Sequence, residues 1–236
     1  KVYFGKGCVK EYLSCLTKPY STVMLAYGGG SIKKNGIYQE VTAILQNANK
    51  TIVEFPGIMA NPTYQKVQQG AQLAREKNVD MILGVGGGSV MDASKAIAAM
   101  ATNEGDLWDY VMGGTGKGYA LKNDPLPIIA ITTTAGTGSE VDQYGVISND
   151  ETNEKIGFGG PDSLFPRIAI VDPELMTTVP PKFTAYQGFD ALFHSVECYI
   201  AAPANLMSDM YALTAIENIG AYLVRAVQDG ADLEAR

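Results

Sequence analysis

The 236-residue sequence predicts an α/β protein, with an N-terminal doubly wound, mainly parallel, Rossmann-like sheet followed by the start of an all-helical second domain. Three features predict it. Short apolar runs alternate with helix-period segments as far as Val171. Two strand-to-helix corners carry the same tetrapeptide, Gly-Gly-Gly-Ser, at 28–31 and at 86–89. Beyond Pro180-Pro181 the strand-like runs stop, and Thr184 to Arg236 reads as helix. The boundary is therefore placed at Pro180-Pro181, with one domain over 1–181 and a helical segment over 182–236.

Each element has a local reason. Val2-Tyr3-Phe4-Gly5 reads as a strand and Val9–Leu16 as a short helix. Thr22–Ala26 is an apolar strand running into Tyr27 and the first glycine corner. Ile37, Val41, Ile44, Leu45 and Ala48 have the spacing of an amphipathic helix. Thr51–Phe55 is the next strand, closed by Pro56-Gly57. Asn61-Pro62-Thr63 opens a helix carrying Val67, Ala71, Leu73 and Ala74. The run from Met81, bounded by glycines, reads as a buried strand, and Val90–Ala101 as a buried helix. The glycine-rich stretch from Asn103 to Asp124, with Trp108 and Tyr110, reads as a surface loop rather than a lid. Pro127–Ile131 is a strand, Gly145–Ser148 and Lys155–Phe158 pair as a hairpin, and Ile168–Val171 is the last strand. Helices are placed near Thr184–Ile200 and Ser208–Val227.

Composition narrows the function classes. The net charge is −7, from 18 Lys and Arg against 25 Asp and Glu, and no basic run is present. That excludes a nucleic-acid surface and an anionic-membrane patch. Cys8, Cys15 and Cys198 are odd in number and form no C-x-x-C pair, which points to a reducing compartment. Neither a signal peptide nor a run of 18 apolar residues is visible, so a soluble, cytoplasmic protein is expected.

Three consecutive glycines let a backbone turn sharply and approach a ligand without a Cβ in the way. At the second corner Ser89 and Asp92 have capping-box spacing. A helix opening there aims N–H groups and a positive dipole end outward, which suits a phosphate; a ligand-free turn is the alternative. Two such corners at the carboxyl ends of strands can flank one crevice and hold one dinucleotide. The first corner lacks the acid that grips a ribose 2′-hydroxyl and carries instead Ser31 and Lys33-Lys34. Room plus positive charge suits a 2′-phosphate and favours NADP over NAD, unless the two lysines are simply a solvated helix start.

His194 is the only histidine, and Asp190 precedes it by four residues. On a helix that spacing places both side chains on one face, about 5–6 Å apart. The pair can contribute to a divalent-cation site or form an ion pair with each other.

Gly86-Gly87-Gly88-Ser89 with Asp92 and Lys95, then Thr133-Thr134-Ala135-Gly136-Thr137-Gly138-Ser139-Glu140, then Gly188–Glu197 around Asp190 and His194, occur in one order. Together they resemble the iron-containing (group III) alcohol dehydrogenase family over essentially the whole chain. Tyr27 to Lys34 is similar to its butanol-dehydrogenase branch, which tends to use NADP. The resemblance implies a dinucleotide-binding domain over 1–181 and the first helices of a metal-binding domain over 182–236. Gly87, Gly88, Ser89 and Asp92 would hold the pyrophosphate and the nicotinamide half, while Gly29, Gly30 and Ser31 would surround the adenosine phosphate. Asn61, Thr133, Thr134, Thr137 and Lys155 match further cofactor-contacting positions.

Asp190 and His194 match the first two of the family's metal ligands, one Asp and three His; the other two histidines have no counterpart in this sequence. The implied reaction is hydride transfer between NADP(H), or NAD(H), and a primary alcohol or aldehyde. The metal, Fe²⁺ or alternatively Zn²⁺, would act as Lewis acid, with no side-chain general base assigned. A homodimer is the implied assembly. Two other readings stay open: a non-catalytic NADP-binding module, and a glycerol-dehydrogenase or dehydroquinate-synthase-like enzyme on the same fold.

Overall fold

The computed structural model describes all 236 residues. In chain order they form β1 (Val2–Phe4), α1 (Cys8–Leu16), β2 (Thr22–Tyr27), α2 (Ser31–Lys34), α3 (Ile37–Asn47), β3 (Thr51–Phe55), α4 (Tyr64–Glu76) and β4 (Met81–Gly86). Then follow α5 (Gly88–Thr102), α6 (Leu107–Tyr110), β5 (Ile128–Thr132), β6 (Tyr144–Asn149), β7 (Glu154–Gly159), β8 (Ile168–Val171), α7 (Pro181–Ile200) and α8 (Leu206–Gln228). They divide into two units, one of residues 1–132 with 139–172, the other of residues 133–138 with 173–236.

In the first unit six strands form one sheet in the order β1-β8-β5-β4-β2-β3, and every adjacent pair is parallel. The predicted fold class is the observed one. β4 and β5 are buried along their whole length, which is why both read as unbroken apolar runs rather than alternating ones. From β2 the chain moves outward to β3, whereas from β4 it moves the other way to β5. The strand order therefore reverses between β2 and β4, the place where open α/β sheets form a ligand crevice. The predicted hairpin is present as the antiparallel pair β6–β7.

α5 lies in the core, with Val90, Met91, Ala93, Ala96, Ile97, Ala98, Ala99 and Met100 all buried. Its run of alanines lets the helix pack close to its neighbours. On α4, Thr63 accepts a hydrogen bond from the Lys66 amide at 3.3 Å, and Val67, Gly70, Ala71 and Ala74 turn inward.

The 103–124 stretch departs from its reading as surface loop. Leu107, Trp108, Tyr110 and Val111 belong to the buried core cluster, and Leu107–Tyr110 form a short helix capped by Asp106. The Trp108 indole donates to Thr115 Oγ1 at 3.0 Å and to Glu154 Oε2 at 3.2 Å. Glu154 Oε1 also accepts from the Thr115 amide at 2.7 Å. Hydrogen bonds from the Thr115 and Thr152 side chains lead the effects that hold the Glu154 carboxyl down to about 2. Because its folded value lies below the ordinary 4.5, the tie contributes above that pH and is lost as pH falls from 4.5 toward about 2. Trp108 is the sole tryptophan, so its fluorescence reports on this contact. An acid titration should show an emission change with its midpoint well below 4 (roughly, by linkage), and Glu154→Gln should remove that step.

The second unit is described by itself. Pro181 occupies the first turn of α7, where a missing N–H leaves no further bond unmade, so the helix opens three residues before the predicted Thr184. Asn205 caps α8 by accepting from the amides of Met207 at 3.0 Å and Ser208 at 3.3 Å. Gly188 of α7 faces Leu223 of α8 so closely that a Cβ there would stand 2.1 Å from Leu223 Cδ1. Arg236 closes the unit by donating to Thr184 Oγ1 at 2.8 Å. The predicted boundary at Pro180-Pro181 thus falls within the residues of this unit. No helix is long and apolar enough to cross a membrane.

Candidate functional site

Both glycine corners stand at the carboxyl ends of neighbouring parallel strands. β2 and β4 pair with Tyr27 opposite Val85, so Gly28 and Gly86 leave the sheet side by side. Val90 packs under both: a Cβ built at Gly28 would stand 3.9 Å from its Cγ2, and one built at Gly86 would stand 2.5 Å from the same atom. Around Gly29 and Gly30, by contrast, a Cβ would meet nothing within 4 Å. One corner is closed underneath and the other open above, a cradle that fits a phosphate lying against bare backbone.

At the second corner α5 starts at Gly88 with Gly87 as its cap, and no side chain caps it. The predicted capping box is therefore absent. Glycine at the cap position starts the helix early, which leaves Ser89 inside the first turn and frees Asp92 for other partners. The N–H groups of Gly88 and Ser89 lie in that first turn, where helix geometry supplies no intrahelical acceptor.

Asp92 turns toward the 139–146 segment. Its Oδ1 accepts from the Ser139 hydroxyl at 2.6 Å and its Oδ2 from the Val146 amide at 2.9 Å. Gly145 lets β6 come that close, since a Cβ there would stand 3.0 Å from the Asp92 Cα. Burial pushes the Asp92 carboxyl up, against the Ser139 and Val146 hydrogen bonds and the Lys95 charge, which pull it down. Lys95 is fully buried and donates to Ser139 Oγ at 2.9 Å, Asp142 Oδ1 at 2.7 Å and the Tyr144 carbonyl at 2.6 Å. Neither Lys95 nor Ser139 stood among the predicted site residues.

Asn61 and Lys155, both expected at the cofactor, come together: Lys155 Nζ donates to Asn61 Oδ1 at 2.8 Å. Thr133, Thr134 and Thr137 lie on the 133–138 segment, which belongs to the second unit.

At the first corner the sequence reading missed an acid. Glu54, near the end of β3, accepts from the Tyr27 hydroxyl at 2.6 Å and the Tyr38 hydroxyl at 2.5 Å. Those phenol hydrogen bonds, Tyr27 first, hold its carboxyl below the usual range. Lys33 Nζ stands 3.7 Å from Glu54 Oε2, 4.4 Å over the Tyr38 ring and 5.2 Å over the Tyr27 ring. Lys33 is thus engaged rather than a purely solvated helix start, and a carboxylate does stand beside this corner. The sign that pointed to it was the acid before Phe55, one strand over.

In the second unit Asp190 and His194 share one face of α7, with Asp190 Oδ1 at 3.8 Å from His194 Nε2. A carboxylate oxygen and an imidazole nitrogen suit a divalent cation such as Fe²⁺ or Zn²⁺, so the pair fits part of a metal site. No cluster of three or more His, Cys, Asp or Glu accompanies them.

Comparison with known proteins bears on these features. The profile for "Iron-containing alcohol dehydrogenase" matches residues 1–173, and that for "Fe-containing alcohol dehydrogenase family, C-terminal" matches 184–236. NADH-dependent butanol dehydrogenase A of Clostridium acetobutylicum is 44% identical over 201 residues, 85% of this chain and 50% of that protein. Alcohol dehydrogenase 4 of Schizosaccharomyces pombe is 37% identical over 234 residues, 99% of this chain and 54% of that one. The solved structure of NADH-dependent butanol dehydrogenase A from Thermotoga maritima superposes with a TM-score of 0.91 at 36% identity, covering 100% of this chain and 58% of that one. The chain spans about half the length of the curated relatives it matches.

Proposed function

The chain belongs to the iron-containing alcohol dehydrogenase family, and from that premise we propose that it serves hydride transfer between a nicotinamide dinucleotide and a small primary alcohol or aldehyde. The observation that carries the proposal is the pairing of two glycine corners where the strand order reverses, one with open backbone and one heading a buried helix.

When bound, the dinucleotide would supply the hydride carrier and a divalent cation the Lewis acid. The chain's own residues do the rest. Gly87, Gly88 and Ser89 offer backbone N–H groups to the pyrophosphate, and Asp92, set by Ser139 and Val146, orients the nicotinamide half. Gly29, Gly30 and Ser31 take the adenosine phosphate. Asn61, Lys155, Thr133, Thr134 and Thr137 complete the contacts. Asp190 and His194 hold the cation, Fe²⁺ with Zn²⁺ as substitute. Lys33 and Lys34 support NADP(H) as coenzyme, with NAD(H) accepted, in keeping with relatives named NADH-dependent. Three free cysteines support a reducing, cytoplasmic setting, and a homodimer is the assembly we propose.

The test is aldehyde-dependent NADPH oxidation. Activity should disappear with a chelator and in His194→Ala, whose metal content should fall while NADPH binding persists. Turnover that survives both treatments would sink the metal role. A second reading, a coenzyme-binding module without turnover, draws on the two-donor metal pair. It predicts NADPH binding with neither bound metal nor activity.

A further inference from the structure

We propose that Glu54 is a coenzyme-selecting residue that acts through Lys33: by engaging the ammonium, it limits how far the first corner favours a 2′-phosphorylated dinucleotide. The inference rests on the coenzyme reading above and goes beyond it.

The acid is built into the corner. Tyr27 is the last residue of β2, immediately before Gly28, and its hydroxyl reaches across to Glu54 on β3. The strands are in parallel register, with Ala26 opposite Phe55, and the turns beyond them are joined by Gly57 and Ile58 amides donating to the Gly28 and Tyr27 carbonyls at 3.1 Å each. Two phenols occupy one lobe each of both Glu54 oxygens, so the carboxylate is held in place and ionised. Lys33 lies against it and over both rings, which restrains a side chain that would otherwise sweep freely.

Two consequences follow from charge. A 2′-phosphate that uses Lys33 must share the ammonium with Glu54, or draw it away from the carboxylate and both rings. It also meets the Glu54 anion itself. An unphosphorylated ribose carries neither penalty. The corner therefore holds a counterweight to its own two lysines, and both coenzymes stay admissible.

The readout is the ratio of NADPH to NADH affinity, measured by fluorescence titration of the intact chain. An exposed pair of this kind is worth roughly a fivefold change, so Glu54→Gln should raise the ratio by about that factor. Lys33→Met should lower it, and Glu54→Gln added to Lys33→Met should bring a smaller rise than in the wild-type background, the part left by the direct repulsion between carboxylate and phosphate. A structural role alone would weaken both coenzymes together and leave the ratio fixed, which would overturn the proposal. So would an equal rise with and without Lys33, since Glu54 would then act without it. If the wild-type chain bound neither coenzyme, the coenzyme reading would fail and this inference with it. Binding of both with an unmoved ratio would remove this inference alone.

Discussion

Lys95→Met is expected to lower the stability of the first unit by about 3 kcal/mol, a drop in Tm of roughly 6–12 °C for a chain of this size. The reasoning is one of unmatched partners. Lys95 has a side-chain exposure of 0%, and its ammonium serves Ser139, Asp142 and the Tyr144 carbonyl together. Methionine fills the space of the stem and removes the charge together with its N–H donors. The three acceptors then lose a donor in a place that water reaches poorly, and removing one member of a buried pair usually costs about 3–5 kcal/mol. The lower end applies because Asp142 is 39% exposed and also accepts from the Tyr144 amide at 2.7 Å. Asp142→Asn should cost far less, within about 1 kcal/mol, since its other side faces solvent. Thermal or urea denaturation of the two variants separates the cases. Equal small losses would mean that the ammonium is not what ties α5 to the 139–146 segment.

How much of this was legible in the sequence depended on whether the cause was local. β4 and β5 were plain because strands buried on both faces need unbroken apolar runs. α6 was hidden: a four-residue helix is too short to show a period, and five glycines between 103 and 124 pointed to a loop. Trp108 packs in the core cluster and against Tyr64 while its indole N–H reaches Glu154, and no local pattern encodes partners 44 and 46 residues away. The helix start at Gly88 was misplaced for a related reason. Ser-x-x-Asp spacing fits a capping box, but the Asp92 carboxylate has stronger claims from Ser139 and Val146, both far along the chain.

The site divides in the same way. The glycine corners were legible because the need for absent side chains is written in the residues themselves. Asp190 and His194 were legible because helical spacing puts them on one face. Glu54 was not, because the acid comes from β3 while the corner follows β2, and the order of strands in a sheet is a tertiary fact. Lys95 stood in the family motif without a role, because the acceptors that fix its ammonium lie on the 139–146 segment, far along the chain.

Gly86→Ala is expected to weaken coenzyme binding by roughly 30-fold, whereas Gly29→Ala separates stability from binding at the other corner. The Cβ of alanine at 86 would stand 2.5 Å from Val90 Cγ2 and 2.9 Å from Val90 Cβ. Val90 cannot step aside easily, since a β-branched side chain on a buried helix has one favoured rotamer. Overpacking of this sort costs about 1–3 kcal/mol unless the backbone moves. In the free protein the turn between β4 and α5 would shift to relieve part of the clash, the rest appearing as lost stability. Binding would then require the original turn to be restored, so about 2 kcal/mol of strain returns as lost affinity. At Gly29 a Cβ meets nothing within 4 Å, so Gly29→Ala should leave stability within about 0.5 kcal/mol of wild type. If a phosphate lies against that open backbone, the same methyl group stands in its way, and affinity should fall although the fold is untouched. Loss of binding with stability intact at Gly29, beside joint loss of both at Gly86, would place the dinucleotide over the first corner and the structural support beneath the second. Unchanged affinity in both variants would remove the glycine corners from the coenzyme site, whatever the family resemblance.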